Sequence, residues 1–242
     1  MSRGFKILVE GDYACFTRNE FKAERVSYDV PTPGALEGML KSIYWKPAIR
    51  YVIDEIIVFN PIDFMNVRRN EVKEKIPIKR IKGRMNGNAN ELEIYTSECR
   101  TQRAAMILKN VKYGISFHFE LTNLKNENEV DGEKKHYNII KRRLEKGQFF
   151  RQPCFGCSEF PVKRIELVDE FDMNMISSEI IEAGDVDLGF MCYRVNFKDC
   201  GIPINGDWEN PEFSDSATTV YYHPHMIDGV IDVKRYKEEL RC

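Results

Sequence analysis

From Val111 to Leu121 the chain alternates without a break, with Val111, Tyr113, Ile115, Phe117, Phe119 and Leu121 on one set of positions and Lys112, Gly114, Ser116, His118 and Glu120 on the other. Successive strand residues point to opposite faces, so this period of two requires an extended segment with its apolar set on a core. His118 therefore projects from the opposite, polar face. Arg100 to Leu108 is strand-like as well, and with Lys109-Asn110 between them the two segments read as a β-hairpin.

The flanking segments narrow the fold further. Phe5 to Glu10 alternates and reads as a first strand. Thr32-Pro33 is a helix start: Thr accepts a hydrogen bond from an early backbone amide, and Pro at the first helical position loses no needed donor. Leu36, Met39, Leu40 and Ile43 form one stripe at helical spacing, Tyr44 and Trp45 lie in the last turn, and Lys46-Pro47 ends the helix. Arg50 to Asn60, rich in β-branched and aromatic residues, reads as a strand before Pro61. Lys134 to Lys146 repeats the helical pattern through Tyr137, Ile140 and Leu144, with Lys141, Arg142 and Arg143 interleaved and Gly147 as cap. Gln148 to Val168 continues as loop and strand. The order is that of the split βαβ, ferredoxin-like arrangement shared with RNA-recognition domains, hence an α+β class. We expect a ferredoxin-like (RRM-like) domain over residues 1–168 and a smaller β-rich part over 169–242, with strand-like segments at Asp187–Phe197 and Thr218–His223. The polar, basic stretch from Val67 to Asn90 reads as a mobile loop inserted at 67–90.

With 242 residues, 43% of them hydrophobic and 12% aromatic, the chain can bury a sizeable core. The opening MSRGFKILVE lacks a signal peptide's apolar stretch, and the most apolar segment, Tyr51 to Phe59, is broken by Asp54 and Glu55. A soluble, cytoplasmic protein with no membrane partner is expected. Seven cysteines, an odd number, argue for reduced thiols; Cys154-Phe-Gly-Cys157 lacks the second close pair that a structural zinc needs and reads as packing. The net charge of −2 conceals a polarised chain. Arg68 to Arg84 carries eight basic residues against Glu71 and Glu74, whereas Ile165 to Phe190 carries eight acids and no Lys or Arg. Gly11 to Val30 sets Arg18, Lys22 and Arg25 among Tyr13, Phe16, Phe21 and Tyr28: either a partly buried hairpin or a basic loop on which bases stack.

The chain has four histidines. His136 opens the second helix, where a surface residue near the cap is the default. His223 and His225 flank Pro224, with no acidic or Cys partner at ligand spacing, and a loop is the simpler reading. His118 has its direction fixed by the strand; a solvent-facing or hydrogen-bonded strand histidine is commoner than a reactive one, and the sequence leaves both open. Phosphate-loop, dinucleotide and nucleophile-elbow motifs are missing, as is a carboxylate cluster of the two-metal type, so no cofactor and no metal is expected. If such a chain cuts RNA, the substrate's own 2′-hydroxyl attacks the adjacent phosphate, with His118 moving the proton and Tyr44 donating to the phosphate or orienting the hydroxyl.

Seven runs, Gly11 to Thr17, Arg25 to Thr32, Ser42 to Pro47, Asn66 to Val72, Phe117 to Leu121, Gln152 to Phe160 and Asp187 to Met191, together resemble the type I-C CRISPR-associated Cas-five subfamily (five-d) of the RAMP superfamily, in the same order from about residue 5 to about residue 191. The resemblance implies metal-independent cleavage of precursor CRISPR RNA at the base of the repeat hairpin. It also implies retention of the 5′ handle in an antiviral effector complex, beside backbone and large subunits, with target double-stranded DNA a candidate further partner. It implies a site of Tyr, Lys and His, matched by Tyr44 and His118, while Ser116 stands at the position of the lysine and leaves Lys46 or Lys112 as the nearest cations. Arg18, Lys22, Arg25, Arg68, Arg69, Lys141, Arg142 and Arg151 are the expected RNA contacts. The alternative is a non-catalytic subunit that caps the 5′ handle of RNA processed elsewhere.

Overall fold

The computed structural model describes residues 4–21, 23–88, 92–122, 132–199, 202–207 and 209–241. Lys22, one of the expected RNA contacts, lies outside them. The amino-terminal elements are β1 (Phe5–Ala14), β2 (Arg25–Val26), α1 (Pro33–Ile43), β3 (Ile49–Val58), β4 (Phe64–Val72), α2 (Ile78–Met85), α3 (Thr96–Cys99), β5 (Arg100–Leu121), α4 (Glu133–Glu145) and β6 (Arg164–Val168). The carboxy-terminal elements are α5 (Ser178–Ala183), β7 (Asp185–Asp187), β8 (Met191–Phe197), β9 (Ala217–Tyr222), β10 (His225–Ile227) and β11 (Val230–Asp232), followed by a 3₁₀ turn over Val233–Glu238.

The expected hairpin at Lys109-Asn110 is not there: Arg100 to Leu121 forms one strand of 22 residues. Asn110 takes a left-handed φ of 52°, which Asn tolerates better than most residues, and this accommodates an irregularity inside the strand instead of a reversal. The first half of β5 finds its partner in β4, from Phe64↔Leu108 to Val72↔Arg100. The second half pairs on one side with β1 (Phe5↔Phe117, Ile7↔Ile115) and on the other with β3 (Tyr51↔Phe119, Ile53↔Phe117). Since β6 adds to the far edge of β1, the order β6-β1-β5-β3 is antiparallel throughout and is the ferredoxin-like order.

Helix α1 forms as its sequence dictates. Thr32 Oγ1 accepts from the Ala35 amide at 3.2 Å, Pro33 opens the helix, and Leu36, Met39, Leu40 and Ile43 are buried. Each such aliphatic side chain contributes roughly 1.5–3 kcal/mol by leaving water. In α4 the buried stripe is His136, Ile140 and Leu144. Both helices pack on the sheet face that carries Phe5, Ile7, Ile115, Phe117 and Phe119, each nearly or wholly inaccessible to water.

Beyond β3 the sheet continues through β11, β10 and β7, while β8 and β9 make a separate two-stranded ribbon. The region after residue 168 is thus rich in strands, yet it does not form a core of its own. Met191, Tyr222, Ile231 and Val233 belong to the same buried cluster as Phe117 and Leu36. No helix of the described residues is long and apolar enough to cross a membrane.

The segment read as a mobile loop is in part regular. Phe64 to Val72 is β4, paired along its whole length, and Ile78 to Met85 is α2, in which no residue is buried. Together with the start of β5 they make a basic arm.

Cys154 and Cys157 do not pair with each other. Cys157 Sγ instead lies 3.6 Å from the Cys15 carbonyl oxygen and 3.7 Å from Thr17 Oγ1. A hydrogen bond between the two thiols, with the Cys15 side chain as donor, lowers the Cys157 thiol to about 6, with Thr17, Arg25 and Arg69 adding to the effect, while the same bond and burial raise Cys15. Gly156 makes this close approach possible. Its φ is 78°, and a Cβ there would stand 2.0 Å from the Cys15 carbonyl oxygen. Gly156→Ala should therefore cost about 2–5 kcal/mol, summing left-handed strain and overpacking. Urea denaturation measures it, and a loss below about 1 kcal/mol would mean that the loop yields freely.

Candidate active site and nucleic-acid surface

On the polar face of β5, His118 is held by a buried acid. Asp54 sits at the bulge in β3 where the register passes from Ile53↔Phe117 to Glu55↔Ser116. Its carboxylate oxygens lie 2.8 and 3.0 Å from His118 Nδ1. A carboxylate only accepts, so Nδ1 carries the proton and Nε2 is left as the basic nitrogen. The His118 side chain is 20% exposed and Asp54 is 7% exposed, with Lys234 Nζ 3.4 Å from the other Asp54 oxygen. A carboxylate this buried needs such partners. Glu120 Oε1 is 3.9 Å from His118 Nε2, and Arg50 donates to Glu120 Oε2 at 2.6 Å; that bond, with His118 and Lys237 nearby, lowers the Glu120 carboxyl. An adjoining cleft of about 260 Å³ is lined by Arg50, Glu120, Arg194 and Lys237, among others. The unit is an oriented imidazole with a ring of charges, able to accept a proton at Nε2 and return it. Ser116 shares its face of the strand.

Tyr44 does not join this unit. Its side chain is buried, and its hydroxyl is 2.9 Å from Nδ1 of His136, which is wholly buried. Phe119, the strand neighbour of His118, turns its ring edge toward His136 at 6.3 Å, so Tyr44 lies on the helix face and His118 on the other. The expected Tyr44–His118 partnership is corrected by the sheet between them. His136, expected at the surface, is corrected too. It precedes Ile140 by four residues and Leu144 by eight, the spacing of one helical stripe, and that signal would have placed it inside. Arg143 stacks over the Tyr44 ring at 5.3 Å and donates to the Ile43 carbonyl, while Tyr51 Oη donates to the Tyr44 carbonyl at 2.7 Å. Lys46, two residues after Tyr44, is half-buried. Trp45, Phe149 and Phe150 are exposed, Phe150 by 88%. The Phe150 and Arg151 amides both donate to the Ser42 carbonyl at 3.0 Å, which docks the glycine-bearing segment on the end of α1.

The expected RNA contacts divide into two groups. Arg18 is committed to Asp29 at 3.0 Å and stacks over Tyr28 at 4.7 Å. Arg25 pairs with Glu159 at 2.7 Å, and Arg69 pairs with the same carboxylate. Arg25 and Arg103 also flank Glu71, at 3.9 and 3.4 Å. Of these, Arg25, through Glu71, and Arg69, through Glu159, fasten the arm to the body. Arg68, Arg142 and Arg151 are exposed, as is Lys141, which pairs with Glu145 at 3.7 Å. Lys112 reaches Glu10 at 3.1 Å.

An antiparallel β6-β1-β5-β3 sheet with two helices on one face, extended by carboxy-terminal strands, defines an α+β protein of the RAMP class. Residues 4–234 match the family described as CRISPR-associated protein (Cas_Cas5), in its Cas5d form, and the chain belongs to that family. It is 39% identical over 244 residues, the full length of both chains, to a protein of Mannheimia succiniciproducens named CRISPR pre-crRNA endoribonuclease Cas5d. A Thermus thermophilus protein of the same name is 31% identical over 243 residues, covering 98% of this chain and 94% of its own. A solved structure described as that of a CRISPR-associated protein shares the fold with a TM-score of 0.59 at 24% identity, covering 98% of this chain and 94% of the other.

The burial of Tyr44 has a measurable consequence. Tyr44→Phe removes a partner from the buried His136 and should lower stability by about 1–3 kcal/mol in urea denaturation. An unchanged midpoint would show that His136 does not depend on the hydroxyl.

Proposed function

We propose that this chain is a precursor-CRISPR-RNA endoribonuclease that works without a metal ion and keeps its product as a subunit of a type I-C effector complex. The observation that carries the reading is the His118–Asp54 pair, an oriented imidazole on the polar sheet face of a chain similar over its whole length to two proteins named for that activity. The 2′-hydroxyl oxygen on the 5′ side of the scissile bond attacks phosphorus and loses its proton, the bond from phosphorus to the leaving 5′-oxygen breaks, and that oxygen takes a proton. The products are a 2′,3′-cyclic phosphate and a 5′-hydroxyl. His118 Nε2 handles one of the two proton transfers, and Asp54 stabilises the imidazolium that forms. Lys234, which shares Asp54 with His118, is a cation placed to balance phosphate charge where Ser116 offers none. Tyr44 acts indirectly, by ordering the end of α1 and the segment around Phe150.

The exposed residues of the arm, Arg68 with Lys79, Arg80, Lys82 and Arg84 on α2, suit an RNA backbone. The exposed Ile78 and Met85 of α2 suit a protein neighbour in the complex, and target double-stranded DNA is a further candidate for the same basic surface. A second reading, a subunit that caps the 5′ handle without cutting, draws on the serine at position 116.

Incubation of the chain with its repeat hairpin RNA in excess EDTA should yield a cyclic-phosphate product; RNA that is bound but stays whole would favour the capping reading. His118→Ala should slow cleavage by about 10²–10⁴-fold while RNA affinity changes little, and parallel loss of both would make His118 a structural residue. Arg68→Glu should flatten the dependence of log affinity on log salt by about one phosphate contact. A slope equal to the parent's would take the arm off the RNA.

A further inference from the structure

Two acids and two histidines meet at the carboxy-terminal edge of the sheet. Asp185 and Asp187 lie two residues apart on β7, and His223 and His225 flank Pro224 just before and within β10; the antiparallel register sets His225 opposite Asp187. His223 Nε2 is 2.6 Å from Asp187 Oδ1, and His225 Nδ1 is 2.8 Å from Asp185 Oδ1. Metal-binding atoms of Asp187, His223 and His225 lie within 4.8 Å of one another. The sequence order hides this group, because the acids precede the histidines by more than thirty residues and only strand pairing joins them.

The arrangement has the chemistry of a metal site in three respects. Two imidazoles and a carboxylate are a donor set that favours zinc and its first-row neighbours over magnesium or calcium. Asp185 holds His225 by one ring nitrogen, which leaves the other with its lone pair available, and a carboxylate behind a ligating histidine is the common way of fixing such a ring. Donors about 2.0–2.2 Å from an ion stand roughly 3.3 Å apart. Because His223, His225 and Asp187 are each at least two-fifths exposed, small side-chain rotations reach that spacing. Phe190 stacks on the His223 ring at 4.9 Å and limits its freedom. The group opens onto a cleft of about 630 Å³ shared with Arg235, Tyr236 and Arg241.

We propose that Asp187, His223 and His225 bind one divalent zinc-class ion, with Asp185 as the positioning residue for His225 and the fourth coordination place open to the cleft. The ion ties β7, at the end of the acidic segment, to the β9–β10 corner. Strands β11 and β10 lie between its β7 edge and β3, which carries Asp54, and the site is independent of the RNA reaction.

The test uses the full chain, stripped by chelator and titrated with ZnCl₂ by calorimetry and with CoCl₂ by visible absorption. One ion per chain is expected, with cobalt d–d bands and no strong near-ultraviolet thiolate band. His223→Ala and His225→Ala should each weaken zinc binding at least about 100-fold, and Asp185→Asn about 10–100-fold with stoichiometry kept. Should an alanine variant fail to fold by circular dichroism, His223→Gln and His225→Gln retain bulk and a hydrogen-bonding amide while removing the imidazole, and carry the same expectation. Zinc binding absent below millimolar concentration, affinity unchanged in the histidine variants, or a thiolate band showing that Cys15, Cys154 or Cys157 holds the ion would each overturn the assignment.

Discussion

The rest of the molecule depends on the pairing of β5. One strand is shared by β1, β3, β4 and the short parallel β2, so its register sets the position of nearly every element that follows or precedes it. Period-two geometry then divides the chemistry. Phe117 and Phe119 enter the helix face, where they meet Tyr51 and His136, while Ser116, His118 and Glu120 are forced to the other side. A one-residue slip would exchange the two sets, burying charged groups and exposing aromatic rings. The apolar core therefore orients His118, and the bulge at Asp54 supplies its carboxylate.

The charges around this frame are distributed by the same logic. A surface pair alone contributes little, but Glu159 is shared by Arg25 and Arg69, and Glu71 by Arg25 and Arg103. A network of this kind fixes the arm's base with fewer newly ordered side chains per contact. It also leaves Arg68, on the exposed face of β4, for a ligand. Basic composition marks a region, whereas the pleat of the strand selects the residues within it.

Much of the fold was legible in the sequence because local signals and tertiary demands agree. The Thr32-Pro33 start, the stripe from Leu36 to Ile43 and the alternation from Val111 to Leu121 each carry a mechanism that needs no distant partner. The errors arise where a distant partner decides. Lys109-Asn110 has turn chemistry that serves equally well for an irregularity inside a strand, and only β4 tells the two apart. β4 alternates only between half-buried and exposed residues, and its half-buried positions hold Arg69 and Glu71 as well as Met65 and Val67, so its sequence resembles a loop. The β-rich nature of the carboxy-terminal part was legible, but its merger with the main core was not, because β11 joins β3 across more than 170 residues.

The four histidines show why residue type alone underdetermines a site. His118 lies against a buried carboxylate with one nitrogen outward, and His136 lies among rings and a phenol. His223 and His225 each meet a carboxylate on β7. An imidazole with a carboxylate on one nitrogen and access to solvent on the other is suited to moving a proton or holding a metal, whereas a wholly buried imidazole beside a phenol is suited to packing and orientation. Those partners come from β3, from the end of α1 and from β7, all far away in the chain. What separates the His118 site from the β7–β10 site is the number of imidazoles the sheet brings together: one is enough for proton transfer, and two with an acid have the donor set of a metal centre.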